Sequence, residues 1–147
     1  MKKLVAALLI LVLAFSFGVT PAYVSADDDN GPRTPGYWKQ TQHVSDWVGY
    51  SPNDTVGSVF TTACGSLAEQ TLLDALDFNG GKGSDGAAKI LLRAAVAALL
   101  NAEHPDIDYP LTSGDIIQSV SQVINPGDRD TMIDLADKLD NYNNGDS

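Results

Sequence analysis

Five side chains in one short stretch carry the most concentrated chemistry of the chain: Tyr37, Trp38, Lys39, His43 and Trp47. Both tryptophans of the sequence fall here. Aromatic faces beside polar donors suit the capture of a sugar or a peptide. The same rings suit a plug that closes one end of a small helical domain, since large aromatics are mostly interior. The plug is the favoured reading, and the five stand beside it as a candidate ligand site. In the plug reading Trp38 is shielded, and Trp47, flanked by Asp46 and Gly49 at a helix end, is partly exposed.

Elsewhere the kit for catalysis is thin. Two histidines and one cysteine, His43, His104 and Cys64, supply few nucleophiles or bases. No Gly-x-Ser-x-Gly elbow, His-Glu-x-x-His helix or clustered Cys/His spacing occurs. Cys64 sits in Thr-Thr-Ala-Cys-Gly without a nearby cation, which reads as a buried, inert thiol. Carboxylates abound, but an acidic chain scatters them without making an acid/base pair. Asp106 and Asp108 flank Ile107 in a turn-like loop and are the calcium candidates. Neither they nor Asp128 and Asp130 have the ligand loop with its central glycine and closing bidentate glutamate. No metal or cofactor is assigned beyond that calcium possibility. The glycine-rich run 79–85 lacks phosphate-loop spacing and reads as a flexible connector. Lys89 and Arg93 are expected in ion pairs with Asp74, Asp77 or aspartates near the C-terminus.

The first residues read as a secretory leader: basic Met1-Lys2-Lys3, an apolar run over 4–19, and small residues at Val24-Ser25-Ala26. Cleavage after Ala26 places 1–26 in the leader and leaves 121 residues, one domain of ordinary size. Nine Lys and Arg fall to seven once Lys2 and Lys3 leave, against nineteen Asp and Glu, for a net charge of −12. That surface repels phosphate backbones and anionic lipid heads, which disfavours nucleic-acid and membrane-surface roles. No membrane insertion is expected after cleavage, and the location is secreted, extracellular or at the cell surface.

The elements that must position these groups read as helices. An acidic, flexible arm over 27–33 precedes Thr34 and Pro35, an N-cap and a proline at the first helical position. Tyr37, Thr41, Val44 and Trp47 then recur at helical spacing. A loop with one short turn or strand brings Phe60 inward. Ser66 and Glu69 have capping-box spacing ahead of Leu72, Ala75 and Leu76. The stretch 86–103 is rich in Ala and Leu, and only Lys89 and Arg93 interrupt it between Ala87 and Leu100. A helix apolar on nearly every side must be covered on nearly every side, so this one is central. Ser84 or Asp85 caps it, and His104-Pro105 ends it. Thr112 and Asp115 form a weaker capping box, followed by the stripe Ile116, Val120 and Val123. Asp128 opens the last helix, with Met132, Leu135, Leu139 and Tyr142 at helical spacing. The domain ends at 143, with a disordered tail over 144–147.

Thr34-Pro35-Gly36-Tyr37-Trp38-Lys39, followed by His43 and Trp47, resembles a secreted domain of bacterial and archaeal extracellular proteins whose hallmark is Gly-Tyr-Trp-Lys, then His, then Trp. The resemblance extends through 71–76, 91–102 and 108–111, in the same order. It implies no particular activity. Relatives often carry a cysteine after the final helix, which would give Cys64 a partner; this chain ends Asn143-Asn144-Gly145-Asp146-Ser147 without one.

The sequence thus points to an all-α, single-domain bundle of about five helices, 34–143, around a central Ala/Leu-rich helix. The function expected is non-enzymatic: a structural or binding module for cell-surface or matrix attachment, by self-association or by binding an extracellular glycan or protein. The alternative is a secreted hydrolase with a dispersed site, signalled by His43 clustering with two aspartates and a serine in a cleft.

Overall fold

The computed structural model describes residues 30–61, 63 and 65–146. The leader, the start of the acidic arm, Cys64 and Ser147 lie outside them.

Among the described residues six α-helices and two 3-10 turns follow in order: α1 Pro35–Trp38, α2 Val56–Val59, α3 Leu72–Ala75, α4 Gly83–Glu103, α5 Ser113–Ile124 and α6 Arg129–Asn143, with the 3-10 turns at Thr41–Asp46 and Gly65–Leu67. Three of the helices are long, and they form an all-α bundle around α4. Ala94, Ala95, Ala97, Ala98 and the leucines of α4 are almost wholly buried, while Arg93 stays in solvent. Alanine keeps the helix surface low, so α6 and α5 can lie close against it, with α1 and α3 on its remaining sides. No helix among the described residues is long and apolar enough to cross a membrane.

Local signals set most boundaries. Thr112 and Asp115 form a complete capping box, and the Asp128 side chain accepts from the Thr131 N–H to open α6. Helix α4 ends at His104, as the following proline requires. It begins at Gly83, with no side-chain cap from Ser84 or Asp85. Asp85 instead pairs with Lys89, 3.3 Å away and one turn on.

Four expectations fail for identifiable reasons. No helix starts at Ser66: the carbonyls of Ala68 and Gln70 accept from Gly57 and Val56, so they cannot serve a helix ladder. The capping box forms instead between Thr71 and Asp74. The stretch 37–47 is not one helix, because Gln40 turns extended (ψ 137°) and the chain re-forms as 3-10 turns. In α6 the buried positions are Met132, Ala136, Leu139 and Asn143, with Leu135 and Tyr142 half-buried. The glycine-rich loop is not a loose connector. A Cβ on Gly86 would lie 2.1 Å from the Gly81 carbonyl, so only glycine permits this contact. Arg129 then straps the loop, donating to the carbonyls of Gly81 (3.2 Å) and Gly83 (2.7 Å).

Candidate functional site

The aromatic stretch divides between interior and surface. Thr34 accepts from the Tyr37 N–H, and Pro35 occupies the first turn of α1, so the helix starts where its sequence dictates. One turn later Trp38 is 1% exposed. Its indole N–H donates to Asn101 Oδ1 at 3.1 Å. Trp38 is therefore a core residue, as the plug reading expects, and only its edge borders a cleft, with Arg33, Tyr37 and His104. Trp47 is half-buried and donates from Nε1 to the Trp38 carbonyl at 3.2 Å.

Asn101 is the centre of a polar network inside the apolar bundle. Its Oδ1 accepts from the Arg33 N–H at 2.8 Å as well as from Trp38, and its Nδ2 donates to the Arg33 carbonyl at 2.8 Å and to Asn143 Oδ1 at 3.0 Å. Both donors and both acceptor sites of the amide are used. Asn143 Nδ2 donates to the Ala94 carbonyl at 3.0 Å, and its Oδ1 also accepts from Tyr109 at 2.9 Å. Both asparagines are fully buried. Three helices, the 104–112 connection and the end of the N-terminal arm thus meet in one satisfied network. The arm is consequently held at Arg33, and Asn30 accepts from the Asp108 N–H at 3.4 Å. Burial pushes the Tyr109 phenol well above its ordinary range. Burial also raises the Asp140 carboxyl, opposed by Arg93 and by a hydrogen bond from Asn143.

Around this clasp the remaining candidates face outward. The His43 ring stacks on Tyr37 with centroids 3.7 Å apart, and its Nδ1 lies 3.1 Å from Asp46 Oδ2. The Arg33 guanidinium sits over the Tyr37 ring at 5.1 Å. Lys39 extends to Asp77 at 2.7 Å, and this hydrogen bond holds the Asp77 carboxyl below its usual range.

Comparison with family models, with curated proteins and with solved structures finds no match for the chain.

Two clefts border the stretch. The wider, about 540 Å³, is lined by Lys39, Gln40, Thr41, Gln42, Leu73, Asp74 and Asp77. Gln42 donates to Gln40 Oε1 at its edge, leaving amides, a hydroxyl, a cation and carboxylates on the surface. The narrower, about 210 Å³, brings Arg33, Tyr37, Asp46, His104 and Asp106 together. In it His104 Nδ1 accepts from the Asp106 N–H at 3.3 Å. Asp106 and Asp108 line different clefts, Asp108 beside Pro32, Pro110, Tyr142 and Asp146. Among the described residues no group of three or more His, Cys, Asp or Glu could hold a metal. Among the described residues the His43 ring contacts Tyr37 and Asp46.

Sequence reasoning passed over Asn101, Asn143 and Tyr109. Two of them had a signal. Asn143 closes the run Met132, Ala136, Leu139, Asn143, and Asn101 continues Ala94 and Ala98 at helical spacing, so each amide sits on a buried face and demands partners.

Proposed function

We propose that the chain is a secreted, non-enzymatic extracellular binding module, of the kind its Gly-Tyr-Trp-Lys stretch resembles, and that its ligand is a hydroxyl-rich extracellular glycan. One observation carries this reading. Trp38 is committed to the fold, while the polar residues Lys39 to Gln42 line a cleft of about 540 Å³. Amide, hydroxyl, ammonium and carboxylate side chains are the groups that exchange hydrogen bonds with sugar hydroxyls. An open, shallow cleft suits attachment to a repeated surface polymer, where many weak contacts add. Pro32 and Asp146 line one further cleft, so both ends of the folded domain emerge at the same place. A module tethered there leaves its other faces free for attachment.

Mature protein beginning at Asp27, applied to a panel of extracellular polysaccharides and glycans, is expected to retain at least one class. Gln42→Ala should weaken that retention without shifting the melting temperature. Retention of no glycan, or retention indifferent to Gln42, would overturn the assignment.

A further inference from the structure

The sequence holds one Asn-x-Ser/Thr tripeptide, Asn53-Asp54-Thr55. Such a tripeptide is the acceptor for N-linked glycans in exported chains, and it has to lie on a surface loop. In this fold it does. Asn53 is exposed at the tip of a turn in which the Asp54 N–H bonds to the Ser51 carbonyl at 3.0 Å and Asp54 Oδ2 accepts from the Ser51 N–H at 2.8 Å. Asn53 enters the hydrogen bonding of the turn through its backbone N–H, which donates to Ser51 Oγ at 3.3 Å. Among the described residues its side-chain amide has no partner to lose. Asn101 and Asn143 are the opposite case, since every bond they make is internal. The turn is also anchored on both sides of its tip. Leu73 donates to the Pro52 carbonyl at 3.2 Å and Leu72 to the Asp54 carbonyl at 2.8 Å. Those bonds seat the turn against α3 and leave the tip outside.

We infer that Asn53 is an N-glycosylation site. The step forms a bond from Asn53 Nδ2 to C1 of the first sugar of a polyprenyl-phosphate-linked glycan. The C1–O bond to phosphate breaks, the polyprenyl phosphate leaves with that electron pair, and one amide proton passes to a base of the transferase. Thr55 supplies the hydroxyl by which the tripeptide is recognised. The turn that carries Asn53 bonds through the Pro52 carbonyl to Leu73, which itself lines the wide cleft. This inference rests on the export reading, since the transfer takes place outside the cytoplasm.

The test is peptide mass mapping of the protein recovered from its native host, together with the intact N-terminus. The expected result is a chain starting at Asp27 with a sugar mass on the peptide carrying Asn53. Asn53→Gln and Thr55→Ala should abolish that mass. Thr55 also caps α2 by accepting from the Ser58 N–H at 3.2 Å, so Thr55→Ala weakens a helix as well. Thr55→Ser keeps both cap and acceptor, and should keep the glycan. A leaderless chain with bare Asn53 overturns the glycosylation site alone. A chain that retains its leader and a bare Asn53 overturns export and the site together.

Discussion

Trp38 and Lys39 are neighbours in sequence and opposites in the structure. Trp38 is 1% exposed and bonded to Asn101, whereas the Lys39 side chain is 45% exposed and reaches across the surface to Asp77. A helix turns about 100° per residue, so adjacent side chains at its end point to different environments. A single residue step at the end of α1 therefore separates a residue that holds the fold from one that lies on the surface. A compact motif in sequence need not be a compact site.

The comparison breaks most visibly on its buried side. Trp38→Ala removes a large ring from the core and should cost about 3–5 kcal/mol. Asn101→Ala removes the acceptor of the Trp38 indole N–H, two bonds to the Arg33 backbone and one of the two donors to Asn143 Oδ1, and should cost about 3 kcal/mol or more. Urea melts of the two single variants and the double variant measure the coupling, expected at about 1–3 kcal/mol for residues sharing one network. Additive losses would mean that the ring and the amide stabilise the fold independently. Tryptophan emission gives a second view: with Trp38 shielded and Trp47 half-buried, a polar quencher should reach only part of the signal.

Tyr109 sharpens the same side by pH. Its folded-state pKa is raised by burial, so the native state holds the phenolic proton more tightly than the unfolded chain. The sign follows from linkage: this contribution is fully present below the unfolded pKa of about 10 and is lost as pH rises above it toward the folded value. Stability should accordingly fall in alkali. Tyr109→Phe should cost about 1 kcal/mol at neutral pH, through the lost bond to Asn143, and should flatten the alkaline decline. An alkaline slope identical to that of the parent protein would remove Tyr109 from the buried network.

The fold was legible in the sequence where one local signal ruled. The Ala/Leu run had to be central, and Thr112 and Asp128 had to start helices. It was not legible where distant backbone competed. The Ser66 and Glu69 spacing lost to bonds from Val56 and Gly57, which lie about ten residues earlier and cannot be read from the local pattern. Gly86 shows the same limit: its need for glycine comes from Gly81 folding back on it, not from its place in the helix. For the candidate site, residue types identified the aromatic stretch and anticipated its division into a shielded Trp38 and a partly exposed Trp47, but not what holds that division in place. That division depends on Asn101, 63 residues from Trp38 in the chain.

Lys39→Ala tests the outward side and carries the smallest expected effect on stability. Both members of the Lys39 to Asp77 pair are largely in solvent, where screening and side-chain entropy cancel most of the attraction. The variant should therefore melt with the parent protein at ordinary ionic strength. The depressed Asp77 carboxyl contributes stability only above its unfolded pKa and loses it as pH falls through the lower folded value. Any difference between parent and variant should thus be confined to low salt and to pH above the carboxylate range, and vanish in acid. Glycan retention should respond where stability does not, because the ammonium group lies in the wide cleft. Lys39→Arg, which preserves the charge and adds donors, should keep retention closer to that of the parent protein. A melting loss in Lys39→Ala comparable to that of Trp38→Ala would erase the distinction between the two halves, making the whole stretch a folding element. Unchanged melting with unchanged glycan retention would leave the clasp intact and move the binding surface away from the wide cleft.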